Sequence, residues 1–249
     1  MNRPAAYRWK NGGLEPIGAL EDVYRTDLVA LERQIDLITA NIESFIETGF
    51  ALDILLWGER GAGKSSIIKM VLTEYAEKGL RAVEFRQEDI ADIHDLYAVI
   101  RKDPELRFLI YFDDISFDSD DILFRRFKST IEGGLETKPA NCIFTATSNM
   151  RHMVRESAAD TEDIYDRDAA NERTSLFARF GLSVGFYPVP KKDYLAIAEH
   201  YLNKLDVRDR IDWEREAENF AINRGGRSGR IAKQFAVWKL IESRASKDG

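Results

Sequence analysis

The stretch Trp57-Gly58-Glu59-Arg60-Gly61-Ala62-Gly63-Lys64-Ser65-Ser66 decides how this chain is read. It carries the pattern G-x-x-x-x-G-K-S, with Gly58, Gly63, Lys64 and Ser65 at the specified positions. Such a motif has meaning only between a strand and a helix. Here the apolar run Ala51 to Trp57 leads in, and a helix-like run from Ser65 to Lys78 leads out. The spacing has a chemical reason. Glycines let successive backbone N–H groups turn toward an anion. The helix that follows aims its orphan donors and partial positive charge at the same point. The expected phosphate-binding set is therefore Gly58, Glu59, Arg60, Gly61, Ala62, Gly63, Lys64, Ser65 and Ser66. Within it Lys64 reaches for the β- and γ-phosphates of a nucleotide, and the Ser65 hydroxyl meets Mg²⁺.

A second signal lies downstream. Phe108-Leu109-Ile110-Tyr111-Phe112 is apolar without alternation, as a parallel strand covered on both faces should be, and it ends in Asp113-Asp114. A carboxylate at the end of a buried strand beside a phosphate loop is where a metal-holding Asp belongs, which assigns Asp113 that role together with Ser65. Asp114, one residue on, is placed to orient or deprotonate an attacking water. The next strand, Cys142 to Thr147, ends in Ser148-Asn149. The Asn149 amide is expected near the γ-phosphate, the competing reading being a plain turn residue.

The rest of the chain frames these signals. Residues 1–19 hold Pro4, Gly12, Gly13, Pro16 and Gly18 and read as an irregular lead-in. From Asp22 to Gly49, apolar residues recur every three or four positions (Leu28, Leu31, Ile35, Ile38, Ile42, Phe45), so a long helix is expected, its leading edge near the nucleotide base. Arg81–Phe85 and Leu182–Phe186 read as further strands, and Asp89–Arg101 and Asp121–Glu132 as helices, the last closed by Gly133-Gly134. Met150 to Thr174 has no periodicity and reads as a mobile loop. Beyond Pro188 and Pro190 only helices are expected, over about 191–205, 212–223 and 228–243. The organisation is thus a lead-in with a packing helix (1–49), an α/β nucleotide-binding core with a five-stranded parallel sheet (50–188) and an all-helical lid (189–249).

Composition excludes several classes. The 249 residues carry a formal charge of −7, which argues against a surface given over to nucleic acid. One cysteine, Cys142, rules out an internal disulfide and fits a reducing compartment. No apolar run approaches the roughly 18 residues of a membrane span, and the first residues lack the apolar core of a signal peptide, so a cytoplasmic protein with no membrane partner is expected. The histidines, His94, His152 and His200, are scattered without metal-ligand spacing.

Three classes of phosphate-loop protein compete. Asn203-Lys204-Leu205-Asp206 matches a GTPase base-recognition motif literally, but it ends an amphipathic helix rather than following a sheet strand, and no Gly follows Asp113 at switch spacing. No Arg-rich lid of a small-molecule kinase stands out. The phosphate loop, Asp113-Asp114, Asn149, Arg179-Phe180 and Arg227-Ser228-Gly229-Arg230 instead occur in the order of the AAA+ ATPases, and the chain resembles that superfamily. The words Leu55 to Ser66, Asp113 to Phe117, Ala146 to His152, Arg179 to Leu182 and Arg227 to Phe235 are similar to the signature of one functionally uncharacterised bacterial AAA+ family, over roughly residues 14–240.

The resemblance implies ATP and Mg²⁺ as cofactors and assigns roles by position. Asn149 would be sensor 1 and Arg230 sensor 2, with Arg227 its competitor on the same helical face. Asp114 stands where most of the superfamily has Glu, as in bacterial replication initiators, which leaves slow hydrolysis open. Arg179 resembles an arginine finger extended into a neighbouring subunit, with a structural ion pair as the alternative, and it implies a homo-oligomer. The leading expectation is an ATPase whose hydrolysis moves the lid and acts on an unidentified partner. The alternatives are a slow or non-hydrolysing ATP-dependent binding switch, or a DNA-associated loader suggested by Arg125-Arg126-Lys128 and Arg224-Arg227-Arg230.

Overall fold

The computed structural model describes residues 3–115, 122–132, 136–149, 179–207 and 212–245. The expected loop over Met150–Thr174, the Gly133-Gly134 stop, Ser116-Phe117 and the Arg125 side chain lie outside the described residues.

Among the described residues one mixed sheet has seven strands in the order β2-β1-β4-β5-β6-β3-β7. They are β1 (Ala6–Lys10), β2 (Gly13–Pro16), β3 (Ile54–Gly58), β4 (Leu80–Glu84), β5 (Arg107–Phe112), β6 (Cys142–Ser148) and β7 (Leu182–Phe186). All pairings are parallel except β1 with β2. This corrects the five-stranded expectation, because residues 6–16 are not an irregular lead-in. They form a hairpin that joins the sheet through β1 and β4, with Ala6 opposite Ala82. Its two-residue turn is Asn11-Gly12, with φ of 51° and 75°, the left-handed pair that a tight hairpin of the right twist requires.

Helices cover both faces. On one side α1 (Glu32–Thr48) and α2 (Lys64–Tyr75) pack on the strands. Ile38, Ile42 and Phe45 of α1 are fully buried with Leu56, Leu109 and Ile143 of the sheet, each burial being worth about 1.5–3 kcal/mol. Gly49 ends α1 at φ 78°, its N–H bonded to the Phe45 carbonyl at 3.1 Å. On the other side α3 (Ile93–Ile100) and α4 (Ile122–Glu132) bury Leu96 and Phe127 against Phe108, Phe112 and Phe144. Cys142 is buried here, and burial pushes its thiol up to about 12.

The expected helix over 22–49 is also corrected. Only Glu32–Thr48 is α-helical, and the chain before it makes a short 3-10 turn at Arg25–Asp27 and a left-handed step at Ala30, φ 63°. The reason is local competition: the Asp27 carboxylate accepts from the Tyr24 N–H at 3.2 Å, offering the backbone a turn in place of a helix. Leu28 is buried nonetheless.

Among the described residues three helices follow β7: α5 (Lys191–Lys204), α6 (Trp213–Asn223) and α7 (Gly229–Ala245). Tyr194, Ala198, Leu202, Ala217, Ala221 and Phe235 give them a separate core. Among the described residues no helix is long and apolar enough to cross a membrane.

Connectivity positions the site. From β3 the chain passes out to β4, returns through β5 and β6, and then crosses to β7 on the far side of β3. Open parallel sheets bind ligands at such a reversal, in the crevice beyond the carboxyl ends of the strands.

Candidate functional site

A crevice of roughly 890 Å³ opens where β3 ends. Its floor is the glycine bend from Arg60 to Ser66, its back wall Asp113, Asp114, Thr147 and Asn149. Leu28 to Leu31 close one side, and Ile197, Tyr201, Arg230 and Lys233 of the C-terminal helices the other.

The bend depends on its glycines for different reasons. Gly58 has φ 123°, and a Cβ there would lie 1.9 Å from the Phe186 carbonyl oxygen. That carbonyl accepts from the Glu59 N–H at 2.9 Å. Gly58 is thus required by the close approach of β7, and neither it nor Glu59 lines the crevice. Gly58→Ala is expected to cost about 3 kcal/mol or more, a lowered midpoint in chemical unfolding. An unchanged midpoint would contradict that contact. At Gly61, φ 71°, a Cβ would lie 3.1 Å from both Ser228 Oγ and Arg230 Cβ, and the Gly61 carbonyl accepts from the Arg230 N–H at 3.3 Å. The first turn of α7 therefore rests on the bend.

Lys64 opens α2 and is buried. Its ammonium donates to the carbonyls of Gly58 at 2.7 Å and Glu59 at 2.8 Å and to Asn149 Oδ1 at 2.9 Å. Burial lowers its pKa, opposed by the charges of Asp114, Glu59 and Asp113. The Asn149 amide nitrogen in turn donates to Asp114 Oδ1. Asn149 therefore stands between the lysine and the second carboxylate. Asp114 sits at φ 53°, and its Oδ2 lies 3.9 Å from Arg60 Nη2.

Asp113 is held differently. Its Oδ1 accepts from the hydroxyls of Tyr111 at 2.6 Å, Thr147 at 2.8 Å and Ser65 at 3.1 Å. Tyr111 stays a donor, because burial and then the Asp113 charge raise its pKa. The Ser65 hydroxyl and the Asp113 carboxylate, held together by that hydrogen bond, put hard oxygens side by side, which suits Mg²⁺, an ion that prefers oxygen ligands and keeps several waters.

The structure thus brings Lys64, Ser65, Asp113, Asp114 and Asn149 together and adds Arg230 from α7. It separates the two candidates of that helix: Arg227 makes a bidentate pair with Glu218 at 2.9 and 2.7 Å, away from the crevice that Arg230 lines. Arg179 is not brought in. It is exposed at the entrance of β7, whose register sets Leu182 beside Ile54 and Phe186 beside Gly58. Arg179 is therefore a strand length from the bend of its own chain, about 15 Å at 3.3 Å per residue. Of Asn203-Lys204-Leu205-Asp206, only Lys204 and Leu205 line the crevice, and Lys204 is paired with Asp27. Sequence reasoning missed Tyr111 and Thr147, although each stands two residues before a selected strand-end residue and hence on its face.

Ion pairs tie the C-terminal helices to the segment before α1. Asp27 meets Lys204 and His200, and Glu21 meets both Lys69 of α2 and Lys233 of α7, at 2.9 and 3.2 Å. Burial alone would raise the Asp27 carboxyl, but hydrogen bonds from Lys204 and Tyr24 outweigh it and leave it lowered; Lys69 and then Lys233 lower Glu21. Depressed carboxyls stabilise above their unfolded values and lose that contribution as pH falls through the folded ones. Thermal stability is accordingly expected to drop on acidification below the ordinary carboxylate range, and less steeply in Asp27→Asn. Equal slopes would remove Asp27 from the clasp.

No match is found among curated proteins. The family described as "Protein of unknown function (DUF815)" matches residues 2–242, nearly the whole chain, and the chain belongs to that family.

Proposed function

We propose that this chain is an ATPase of the AAA+ type, binding Mg²⁺-ATP in the crevice at the end of β3 and using hydrolysis to move its helical lid and act on a partner. One observation carries the reading: Lys64, the Ser65–Asp113 pair and Asp114 converge at a glycine bend, with Asn149 bonded to both Lys64 and Asp114. The parallel strands β4-β5-β6-β3-β7, with the bend following β3, support a P-loop AAA+ core, and the separate packing of α5–α7 supports a lid.

Each group has a task in this reading. Orphan N–H groups at the start of α2 and the Lys64 ammonium bind the phosphates. Ser65 and Asp113 hold Mg²⁺, which neutralises charge on the phosphate oxygens when bound. Asp114 orients or deprotonates the attacking water, Asn149 holds Asp114 in register with the terminal phosphate, and Arg230 brings the lid to the nucleotide. Leu28–Leu31 with Ile197 and Tyr201 offer an apolar slot for the base. Arg179 serves a neighbouring copy, which makes the active form a homo-oligomer. A cytoplasmic location accords with this reading.

A second reading has its own support. Asp114 is a short carboxylate already engaged by Asn149 and near Arg60, which favours a nucleotide-dependent binding switch with little turnover. Steady-state phosphate release by the purified chain, across concentrations that span assembly, decides between them. Turnover that rises with concentration and vanishes in Asp114→Asn supports the ATPase; tight ATP binding without phosphate release supports the switch.

A further inference from the structure

Three hydroxyls converge on a single oxygen of Asp113. Ser65 is accounted for by the metal role proposed above, but Tyr111 and Thr147 are not. Tyr111 lies two residues before Asp113 on the same strand and so on the same face. Its ring packs among the residues beneath α1 and α2, and its hydroxyl reaches Asp113 Oδ1 at 2.6 Å. Thr147 comes from the neighbouring strand. The pairing of Phe112 with Ala146 brings the next residues of the two strands, Asp113 and Thr147, side by side. The Thr147 hydroxyl donates to Asp113 Oδ1 at 2.8 Å and accepts from the Asp114 N–H at 2.7 Å. One threonine therefore holds both members of the acidic pair, one by its side chain and one by its backbone in a left-handed step, φ 53°.

We propose that Tyr111 and Thr147 are positioning residues for the metal: by saturating Oδ1 of Asp113 they lock the carboxylate so that Oδ2 faces the ion or its waters. A carboxylate oxygen offers about two lone pairs, so three donors leave Oδ1 no capacity for a cation. All three hydrogen bonds go to Oδ1 rather than Oδ2. The same hydroxyls oppose rotation of the side chain about its χ angles. The partners that orient a metal ligand commonly set its affinity by 10- to 100-fold. Thr145 supplies the contrast. It is two residues before Thr147 on the same face, and its buried hydroxyl has no hydrogen-bond partner.

This inference rests on the nucleotide reading, and the test separates the two. The purified chain is titrated with a fluorescent ATP analogue at graded Mg²⁺ concentrations and again in EDTA, with thermal unfolding recorded for each variant. Tyr111→Phe and Thr147→Val are each expected to raise the half-saturating Mg²⁺ about tenfold, with affinity in EDTA unchanged. Thr147→Ser, which keeps the hydroxyl, restores the native midpoint. Thr145→Val leaves the midpoint unmoved and unfolds no earlier than the native chain. Native Mg²⁺ midpoints in folded Tyr111→Phe and Thr147→Val overturn the inference, as does an equal loss of affinity with and without the metal. A native chain that binds the analogue equally well in EDTA overturns it too. A native chain that binds no nucleotide in either condition overturns the nucleotide reading beneath it.

Discussion

Arg179→Ala is expected to lower ATP turnover by about 10³–10⁵-fold while leaving ATP affinity unchanged. The corresponding barrier is roughly 4–7 kcal/mol. The argument is geometric as much as chemical. Arg179 precedes β7, and the parallel register of β7 with β3 sets it by the start of β3, at the opposite edge of the sheet from Lys64. A guanidinium there cannot meet the terminal phosphate held by its own chain, so a part in turnover would require a second copy placed head to tail. Mixing supplies the sharper readout. Arg179→Ala retains an intact crevice, and Lys64→Ala retains an intact Arg179, so equimolar mixtures of the two inactive variants should recover part of the turnover. Full activity in Arg179→Ala, or no recovery in the mixture, would remove Arg179 from the mechanism.

Lys64→Ala is expected to weaken ATP binding by about 2–5 kcal/mol, roughly 30- to 4,000-fold. Lys64 is buried and spends its three donors on Gly58, Glu59 and Asn149. Its removal takes away the cation proposed to meet the phosphates and the hydrogen bonds it gives to Gly58, Glu59 and Asn149. It also frees the Asn149 amide that holds Asp114. Affinity and turnover should therefore fall together, unlike the pure turnover loss of Arg179→Ala. Titration of the variant with labelled ATP checks this; native affinity would contradict the placement of the phosphates.

The parts of this arrangement that sequence made legible are those where chemistry demands a residue type at a fixed spacing. The glycine bend, the apolar strand ending at Asp113-Asp114 and the strand ending at Asn149 were readable because backbone freedom, burial on both faces and charge each leave a local mark. The strands β4–β7 follow from short apolar runs, and the C-terminal helices from helical spacing. What escaped was set by tertiary contacts. The β1–β2 hairpin reads as irregular in sequence, although Asn11-Gly12 is a strong turn signal, because the eleven residues from Ala6 to Pro16, of mixed polarity at an edge, lack an apolar run. Leu28 kept helical spacing with α1 yet is not helical, since Asp27 is drawn into bonds with Tyr24 and Lys204. Tyr111 read as one more apolar residue of a buried strand, and Thr147 as a β-branched filler. Their hydroxyls acquire meaning only once β5 and β6 lie side by side and α2 begins above them. The choice of Arg230 over Arg227 likewise needed the Glu218 pairing.

The account stands or falls on where a nucleotide sits. A crystal structure of the chain grown with Mg²⁺ and a non-hydrolysable ATP analogue is the most direct measurement. The expected result is a triphosphate wrapped by Arg60 to Ser66, its terminal phosphate on Lys64 Nζ and the metal between it and the Ser65–Asp113 pair. An analogue bound elsewhere, or a crevice that stays free of it at saturating concentration, would contradict the account.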